Sequence, residues 1–405
     1  MSPHTEVVIA EDAVDRLAAR ELPAALVVAD ATTFDALGAR VAEVLSAPSL
    51  VFPQRHGLLA GAPEVERVRA ALADRDVRPI AVGSGVITDI VRYAAHQAEV
   101  EFISVPTAAS MDGYASSVAA LEFDGIKVTL PARAPVGIFA DPRVAAAAPP
   151  ELTRAGVGDL LGKATARVDW LAAHLLYAEP YLPEAADRVL GALSAVLAAP
   201  EDAISGDQGA VRALLEGLVD SGIAMSVVGS SRPASGFEHH ASHFWDLLAA
   251  RGLRRHHSHG LQVGYATRLA IALQRFAFGG GLAALRTPRP PEDPLGPAAR
   301  RWLGAPTPEI QAAVQAKLRF VEHLTGQPDW DHVCAAMVPE LERFAAVEQA
   351  LDSAGLPRRP DELDLDPEMV RATLHHATRL RARYTVVDFL EGQGKLDQAI
   401  AGMLP

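Results

Sequence analysis

The stretch RPIAVGSGVITDIVRYAA, residues 78–95, decides the fold of the N-terminal half. It begins with an apolar run, passes through Gly83, Ser84 and Gly85, and continues with apolar residues at helical spacing. This order predicts a strand, a tight turn and a helix. Glycines let backbone N–H groups approach a diphosphate, and a helix N-terminus favours negative charge. Because Thr88 stands where the usual fingerprint has its third glycine, the stretch predicts either a dinucleotide-binding turn or a plain strand-to-helix connection.

Similar apolar runs alternate with helical stretches up to about residue 150. They lie at residues 6–10, 25–30, 79–82 and 101–105. Strands that alternate with helices are typical of a parallel α/β sheet. After residue 150, long Ala- and Leu-rich stretches with helical periodicity replace them. We therefore predict an α/β nucleotide-binding domain at 1–149 and an α-helical metal-binding domain at 150–405, with helix breaks at 230–236 and in the proline-rich run at 288–297.

Composition limits the classes of function. A chain of 405 residues, 49% hydrophobic and 21% charged, is a globular protein large enough for two domains. Its formal charge of -13 repels nucleic acid and acidic lipid, so a phosphate-bearing ligand needs a local basic pocket. The single Cys334 cannot form an intrachain disulfide. Without a signal-like start or a long uninterrupted apolar segment, the sequence predicts a cytoplasmic protein with no membrane insertion and no nucleic-acid partner.

Polar residues follow two of the predicted strands. Asp30 can accept hydrogen bonds from a ribose hydroxyl, which would disfavour a 2′-phosphate, or it can cap the next helix. The loop after residues 101–105 carries Thr107, Ser110 and Asp112. Its hydroxyls can donate to phosphate or carboxamide oxygens, and Asp112 can face a substrate hydroxyl. The same side chains can instead bond their own backbone, as in ordinary turns.

Six of the 14 histidines fall within residues 239–259, namely His239, His240, His243, His256, His257 and His259. Imidazole is the commonest metal ligand, and two imidazoles with one carboxylate leave a position open for water or substrate, as in catalytic zinc. His239 lies near the start of a predicted helix at 237–250, and His259 heads the next helix. Asp159 is the best candidate for the carboxylate. His239 and His243, four residues apart on one helical face, are an equally good pair of ligands. We expect His256 and His257 only to lie on a loop, without a role as ligands.

Lys163 follows Asp159 by four residues. On one helix this spacing gives an ion pair worth a few tenths of a kcal/mol. Alternatively, Lys163 faces the phosphate of a substrate.

Five segments, taken in order along the chain, match the motifs of a known family. They are VGSG at 82–85 with Asp89, VPTAAS at 105–110 with Asp112 and Gly113, AGVGDLLGK at 155–163, SGFEHH at 235–240 and HGLQVG at 259–264. Together they resemble the sn-glycerol-1-phosphate dehydrogenases, which belong to the iron-containing alcohol dehydrogenase and dehydroquinate synthase superfamily. The resemblance implies a Rossmann-like domain followed by an all-α domain in a dehydroquinate synthase-like fold. It also implies NAD(H) or NADP(H) and a divalent metal, with zinc preferred over iron or nickel.

The resemblance selects Asp159, His239 and His259 as the metal ligands and leaves His243 at most a supporting role. The cofactor would be bound by residues in three segments, Asp30, Gly83, Ser84, Gly85, Asp89, Thr107 and Ser110.

The resemblance implies reversible reduction of dihydroxyacetone phosphate to sn-glycerol 1-phosphate, or of a similar hydroxyketone phosphate. Asp112 would orient a substrate hydroxyl, Lys163 or Arg232 would bind the phosphate, and water or His243 would deliver the proton. Met111 departs from the family, which often has a histidine there. The alternative is a sugar-phosphate cyclase like dehydroquinate synthase, although such enzymes usually carry a glutamate at the position of Asp159. We expect a homo-oligomer.

Overall fold

The computed structural model describes residues 5–55, 57–73, 77–123, 126–322 and 329–403. The chain forms two compact units, one of Met1–Leu160 with Gly191–Ser231 and one of Leu161–Leu190 with Arg232–Pro405. The units therefore do not follow a single cut in the sequence. Within the first unit, Ser226 Oγ donates a hydrogen bond of 2.7 Å to the carbonyl oxygen of Ala115. This contact joins the segment Gly191–Ser231 to the loop that follows the strand Ile103–Pro106.

The described residues of the first unit contain eight strands: β1 Glu6–Ile9, β2 Ala24–Asp30, β3 Ser49–Phe52, β4 Val77–Gly83, β5 Ile103–Pro106, β6 Val118–Phe123, β7 Ile126–Pro131 and β8 Gly137–Ala140. Six of them form a parallel sheet at the centre of this unit, in the order β1-β8-β5-β4-β2-β3. The other two, β6 and β7, form an antiparallel hairpin. All four predicted strands are confirmed. Strands β3 and β8, each of 4 residues, and the hairpin strands β6 and β7, each of 6 residues, were not predicted.

Apolar cores cover both faces of this sheet. On β2, Leu26 and Val28 belong to one core, whereas Val27 and Ala29 belong to the other. Successive side chains of a strand point to opposite faces, so a strand buried on both sides must be apolar throughout. This requirement explains the unbroken apolar run that predicted the strand.

Helices form nearly all of the remaining regular structure of the described residues. Up to residue 161 they are α1 Ala13–Ala18, α2 Ala31–Thr33, α3 Ala39–Val44, α4 Ala62–Leu72, α5 Gly85–Gln97, α6 Pro142–Ala146 and α7 Pro150–Leu161. They continue as α8 Lys163–Tyr177, α9 Pro183–Leu197, α10 Pro200–Ile204, α11 Gln208–Val228, α12 Phe237–Ala250, α13 His259–Phe278, α14 Pro297–Leu303, α15 Pro308–Glu322, α16 Trp330–Ser353, α17 Pro367–His376, α18 Val386–Gly392 and α19 Leu396–Ala401.

The helical character predicted after residue 150 is confirmed, and so are its two interruptions. A short 3-10 turn, Arg232–Ala234, separates α11 from α12. The proline-rich run lies outside helices, between the end of α13 at Phe278 and the start of α14 at Pro297. Proline at the first position of α14 lacks only an N–H that would be unsatisfied there anyway. No helix in the described part of the chain is long and apolar enough to cross a membrane.

Candidate metal and dinucleotide sites

The predicted strand, turn and helix of residues 78–95 are present. Strand β4 ends at Gly83, Ser84 is the N-cap residue, and α5 begins at Gly85. A Cβ atom added to Gly83 would lie 2.8 Å from Cβ of Ile87, closer than side chains pack. A glycine is therefore required where the strand passes into the helix, and the backbone at the N-terminus of α5 stays open to close approach.

Asp30 caps the helix that follows β2. Its Oδ1 accepts a hydrogen bond of 2.8 Å from the N–H of Thr33, whose Oγ1 accepts one of 3.1 Å from the N–H of Asp30. Asp30 therefore has the helix-capping role that the sequence offered as one of its two alternatives. The contact of Asp30 with a ribose stays a prediction, since a carboxylate can accept several hydrogen bonds.

A cavity of about 600 Å³ opens at the carboxyl ends of strands β2, β4, β5 and β8. The residues that line it just after these strands are Thr32, Thr33, Ser84, Thr107 and Asp141. In doubly wound sheets, ligands bind at this edge, where the strand order reverses. Here the order reverses between β2 and β4. The cavity brings the predicted Ser84 and Thr107 together. Asp141 was missed because β8 was not predicted.

Two other predicted cofactor residues make contacts within the protein. Asp89 forms a buried ion pair of 2.6 Å with Arg92, and Arg92 Nη1 also donates to the carbonyl oxygen of Val118 at 3.0 Å. Oγ of Ser110 lies 3.3 Å from the hydroxyl of Tyr114. Burial raises the pKa of Tyr114 to about 12. Asp89 and Ser110 thus hold the loop after β5 in shape, and their contact with a cofactor stays a prediction.

Asp159 is held by the same loop. Its Oδ2 accepts a hydrogen bond of 3.0 Å from the backbone N–H of Asp112, and its side chain is buried. Helix α7 approaches the loop so closely that a Cβ on Gly156 would lie 2.0 Å from the carbonyl oxygen of Ala109. Glycine at this position therefore allows the contact that orients Asp159. Oδ2 of Asp112 accepts a hydrogen bond of 3.0 Å from Ser221.

Met111, which departs from the family pattern, contacts both glycines beside it. Its Sδ accepts a 3.2 Å hydrogen bond from the N–H of Gly113, and a Cβ on Gly85 would lie 3.4 Å from its Cγ. An apolar side chain therefore covers the start of α5 where a histidine would offer a polar group.

His239 and His259 lie in the first turns of α12 and α13, and both helices begin at the predicted residues. The centroids of the two rings are 5.1 Å apart. Nδ1 of His239 lies 3.0 Å from Oε1 of the fully buried Glu238, and Nδ1 of His259 lies 2.9 Å from Oγ of Ser242. Metal-bound histidines commonly use their second ring nitrogen in this way, which fixes the ring orientation. These two contacts fix the orientation of both rings.

Glu238 is held as a carboxylate. Burial by itself raises the pKa of Glu238, but hydrogen bonds from His239, the N–H of Gly236 and the hydroxyl of Thr165 outweigh it, and the net pKa is lowered. An ionised Glu238 makes His239 a better donor of electrons to a metal.

Asp159, His239 and His259 each offer one ligand atom, and these atoms lie within 4.8 Å of one another. One carboxylate oxygen and two imidazole nitrogens suit zinc, iron or nickel. These ligand atoms, and the hydrogen bonds that orient the three side chains, therefore fit the divalent metal that the sequence led us to expect. His243 is not part of this group.

The other predicted residues surround these ligands or lie apart from them. The ring of His243 stacks on that of His259 at 5.6 Å, which suits a supporting role. Lys163 is buried and begins α8, so it does not share one helix with Asp159. His256 and His257 lie in the loop between α12 and α13, as predicted, and His257 bonds Asp364 at 2.8 Å.

Comparison with known proteins identifies the family. Residues 8–149 match the family model described as iron-containing alcohol dehydrogenase. The chain is 32% identical over 400 residues to the glycerol-1-phosphate dehydrogenase [NAD(P)+] of Geobacillus stearothermophilus, covering 96% of this chain and 92% of that protein. This chain belongs to the glycerol-1-phosphate dehydrogenase family. The enzyme of the same name from Geobacillus thermodenitrificans is 30% identical over 395 residues, which is 94% of this chain and 91% of that protein.

Solved structures confirm the fold of this family member. A probable glycerol dehydrogenase from Sinorhizobium meliloti superposes with a TM-score of 0.63 and 18% identity, covering 99% of this chain and 100% of that one. The predicted family and fold are therefore confirmed. The cyclase alternative is not favoured, because these curated relatives are named as NAD(P)-linked dehydrogenases.

Proposed function

We propose that this chain interconverts dihydroxyacetone phosphate and sn-glycerol 1-phosphate with NAD(P)H and a divalent metal. The observation that carries the proposal is the group of ligand atoms of Asp159, His239 and His259 within 4.8 Å, in a chain whose curated relatives bear the name of this reaction. A similar hydroxyketone phosphate is the nearest variant of this substrate.

Asp159, His239 and His259 would hold the metal, with zinc preferred over iron or nickel. Ser84, Thr107 and the N-terminus of α5 would hold the pyrophosphate of the cofactor, and Asp30 would meet its ribose. When bound, the cofactor supplies the hydride and the metal supplies a Lewis acid for the substrate carbonyl.

The remaining roles fall to side chains around this site. Asp112 orients a substrate hydroxyl, since its backbone N–H and its carboxylate are already fixed by Asp159 and Ser221. His243, stacked on His259, passes a proton between the substrate oxygen and solvent. The carboxylate of Asp246 lies 3.9 Å from Nδ1 of His243. Cytoplasmic location and a homo-oligomeric state stay predictions.

The test is loss of NADH absorbance on addition of dihydroxyacetone phosphate to enzyme loaded with zinc. We expect turnover that a chelator abolishes and that His259→Ala eliminates. His332→Ala, which changes an exposed histidine at the start of α16, is the matched control and should keep full activity. A cyclase would convert its substrate with no net change in NADH. If the metal-loaded enzyme oxidises no NADH with this or related hydroxyketone phosphates, the proposal is wrong.

A further inference from the structure

Two arginines, Arg40 and Arg143, are among the described residues that line the cavity at the carboxyl ends of the strands. Arg40 lies in α3, and Arg143 lies in α6, just after β8. Because the chain carries a formal charge of -13, a phosphate group needs a local positive charge in order to bind. Each arginine is a candidate for that charge, and their contacts within the protein distinguish them.

Arg143 is engaged by carboxylates of the protein. Its Nε and Nη2 lie 3.2 Å and 2.8 Å from the two carboxylate oxygens of Asp141, which is buried and also lines the cavity. Its Nη1 lies 3.2 Å from Oε2 of Glu11, and its Nη2 donates a second hydrogen bond of 2.7 Å to the carbonyl oxygen of Glu11. Every guanidinium nitrogen of Arg143 is therefore in use, and its pairing with Asp141 leaves no net charge.

Arg40 is far less engaged. In the part of the chain that the structure describes, its side chain makes one polar contact, a hydrogen bond of 2.9 Å from Nη2 to Oδ1 of Asp15. The two side chains keep 46% and 60% of their exposure, and ion pairs between exposed side chains contribute little to stability. Asp15 is not among the residues that line the cavity. Arg40 therefore adds a positive charge to the cavity, and its Nε and Nη1 are available to a ligand.

Arg40 also lies on the side of a helix that faces the cavity. A π-helical turn, Phe34–Gly38, joins α2 and α3 into one continuous helix, and such turns are frequent at functional sites. Thr32, Ala36 and Arg40 follow one another at intervals of four residues, and all three line the cavity. Side chains of a helix tilt toward its N-terminus. Arg40 therefore extends along the cavity toward the end of β2, where Asp30 caps the same helix.

We propose that Arg40 binds the 2′-phosphate of NADPH, so that the cavity accepts this cofactor as well as NADH. The proposal rests on the proposed function, because it places the cofactor of that reaction in this cavity with its ribose at Asp30. A guanidinium presents paired N–H donors that match phosphate oxygens. In dinucleotide-binding folds an arginine near the ribose accommodates the 2′-phosphate.

Asp30 and Arg40 act in opposite directions on the choice of cofactor. A carboxylate beside the ribose accepts hydrogen bonds from its hydroxyl and repels a 2′-phosphate. The guanidinium of Arg40 attracts that phosphate, and it exchanges an exposed pair with Asp15 for it at little cost. The two residues together predict that both reduced cofactors are used, whereas Asp30 without Arg40 would select NADH.

The test compares Arg40→Gln with Arg69→Gln. Arg69 is a matched control on α4, with 44% of its side chain exposed and a pair with Glu66, and it is not among the residues that line the cavity. The ligands are adenosine 2′,5′-bisphosphate and AMP, which differ only in the 2′-phosphate, and titration calorimetry measures their binding.

In Arg40→Gln we expect the bisphosphate to bind about 10- to 100-fold more weakly, the loss typical of a hydrogen bond to a charged group. Binding of AMP should stay unchanged, which also shows that the cavity is intact. Arg69→Gln should bind both nucleotides as the wild type does. Equal losses for both nucleotides in Arg40→Gln would place Arg40 at the 5′-phosphate and overturn the proposal. A wild type that binds AMP but not the bisphosphate would overturn it too.

Kinetics with dihydroxyacetone phosphate separate this inference from the proposed function, because the binding measurements need no substrate. If the wild type reduces no hydroxyketone phosphate with either cofactor, yet Arg40→Gln loses only the bisphosphate, the role of Arg40 stands and the proposed function fails. If the wild type reduces dihydroxyacetone phosphate and Arg40→Gln keeps its affinity for the bisphosphate, the role of Arg40 is wrong and the function stands.

Discussion

The backbone N–H of Asp112 donates a hydrogen bond of 3.0 Å to Oδ2 of Asp159. Asp112 belongs to the loop after β5, and Asp159 to the last turn of α7. The bond orients a carboxylate that is buried. It also links Asp112, proposed to bind the substrate hydroxyl, to Asp159, a proposed metal ligand. A substitution at either residue should therefore alter the position of the other.

Asp159→Asn should lower the affinity for zinc by more than about 10-fold, because loss of a group that merely supports a ligand already costs that much. A neutral amide oxygen is a poor ligand, and its NH₂ group can face the N–H of Asp112. Competition with a chromophoric chelator measures the affinity. Asp397→Asn, at an exposed carboxylate of α19, is the control and should bind zinc normally. Unchanged affinity in Asp159→Asn would remove Asp159 from the ligand set.

Glu238→Gln should weaken zinc binding roughly 10- to 100-fold through His239, because a neutral amide no longer strengthens the imidazole as a ligand. Thr165→Val is the matched control. It removes the 2.8 Å hydrogen bond from Thr165 to the other carboxylate oxygen of Glu238 and leaves the contact with His239 intact. The same chelator competition, with Tm of the metal-free proteins as a check on folding, separates the two. Equal loss in both variants would show that Glu238 acts only through packing.

Asp30→Asn should shift the cofactor preference towards NADPH by about tenfold in the ratio of kcat/KM values. Asparagine can keep the 2.8 Å cap to the N–H of Thr33, so the helix is retained while the charge that repels a 2′-phosphate is lost. Steady-state kinetics with both reduced cofactors measures the ratio. Asp35→Asn, at an exposed residue paired with Arg55, should leave the ratio unchanged. The same ratio in all three proteins would limit Asp30 to its capping role.

The effect of Asp169 on stability should depend on pH. Burial and the nearby carboxylate of Glu238 raise the pKa of Asp169 from 3.8 to about 7. The folded protein therefore holds a proton that the unfolded chain releases, and stability present below the unfolded pKa is lost as the pH rises through the folded value. Asparagine in Asp169→Asn does not titrate, so this variant loses no stability from that position as the pH rises. Its Tm, relative to wild type, should rise by about 5 °C between pH 4 and pH 8.

Asp352→Asn, at an exposed carboxylate of α16, is the control for this pH series. Its Tm difference from wild type should stay nearly constant with pH. Asp169 also accepts hydrogen bonds from Gln274 and from the N–H groups of Phe237 and Val386, so an offset common to all pH values is expected in Asp169→Asn. A difference that falls as the pH rises would contradict the raised pKa.

Local sequence signals placed several elements correctly. The helix from Phe237 and the helix from His259 begin where they were predicted. Pro233 and Gly236 lie in the break before Phe237, and the apolar period resumes after them. The glycines at Gly83 and Gly85 likewise marked the turn between β4 and α5. Strand β8 was not predicted, and with it the cavity residue Asp141, which directly follows β8, was missed.

Periodicity and helix breaks depend on neighbouring residues, so the α/β half, the helical half and the histidine-rich region could be predicted from the order of residues alone. The motifs of the sequence determined the family. The packing of the helices brings Glu238 and Ser242 to the rings of His239 and His259, and Glu179 to the guanidinium of Arg232. Which charges meet depends on how the helices pack, and spacing along the chain does not record packing.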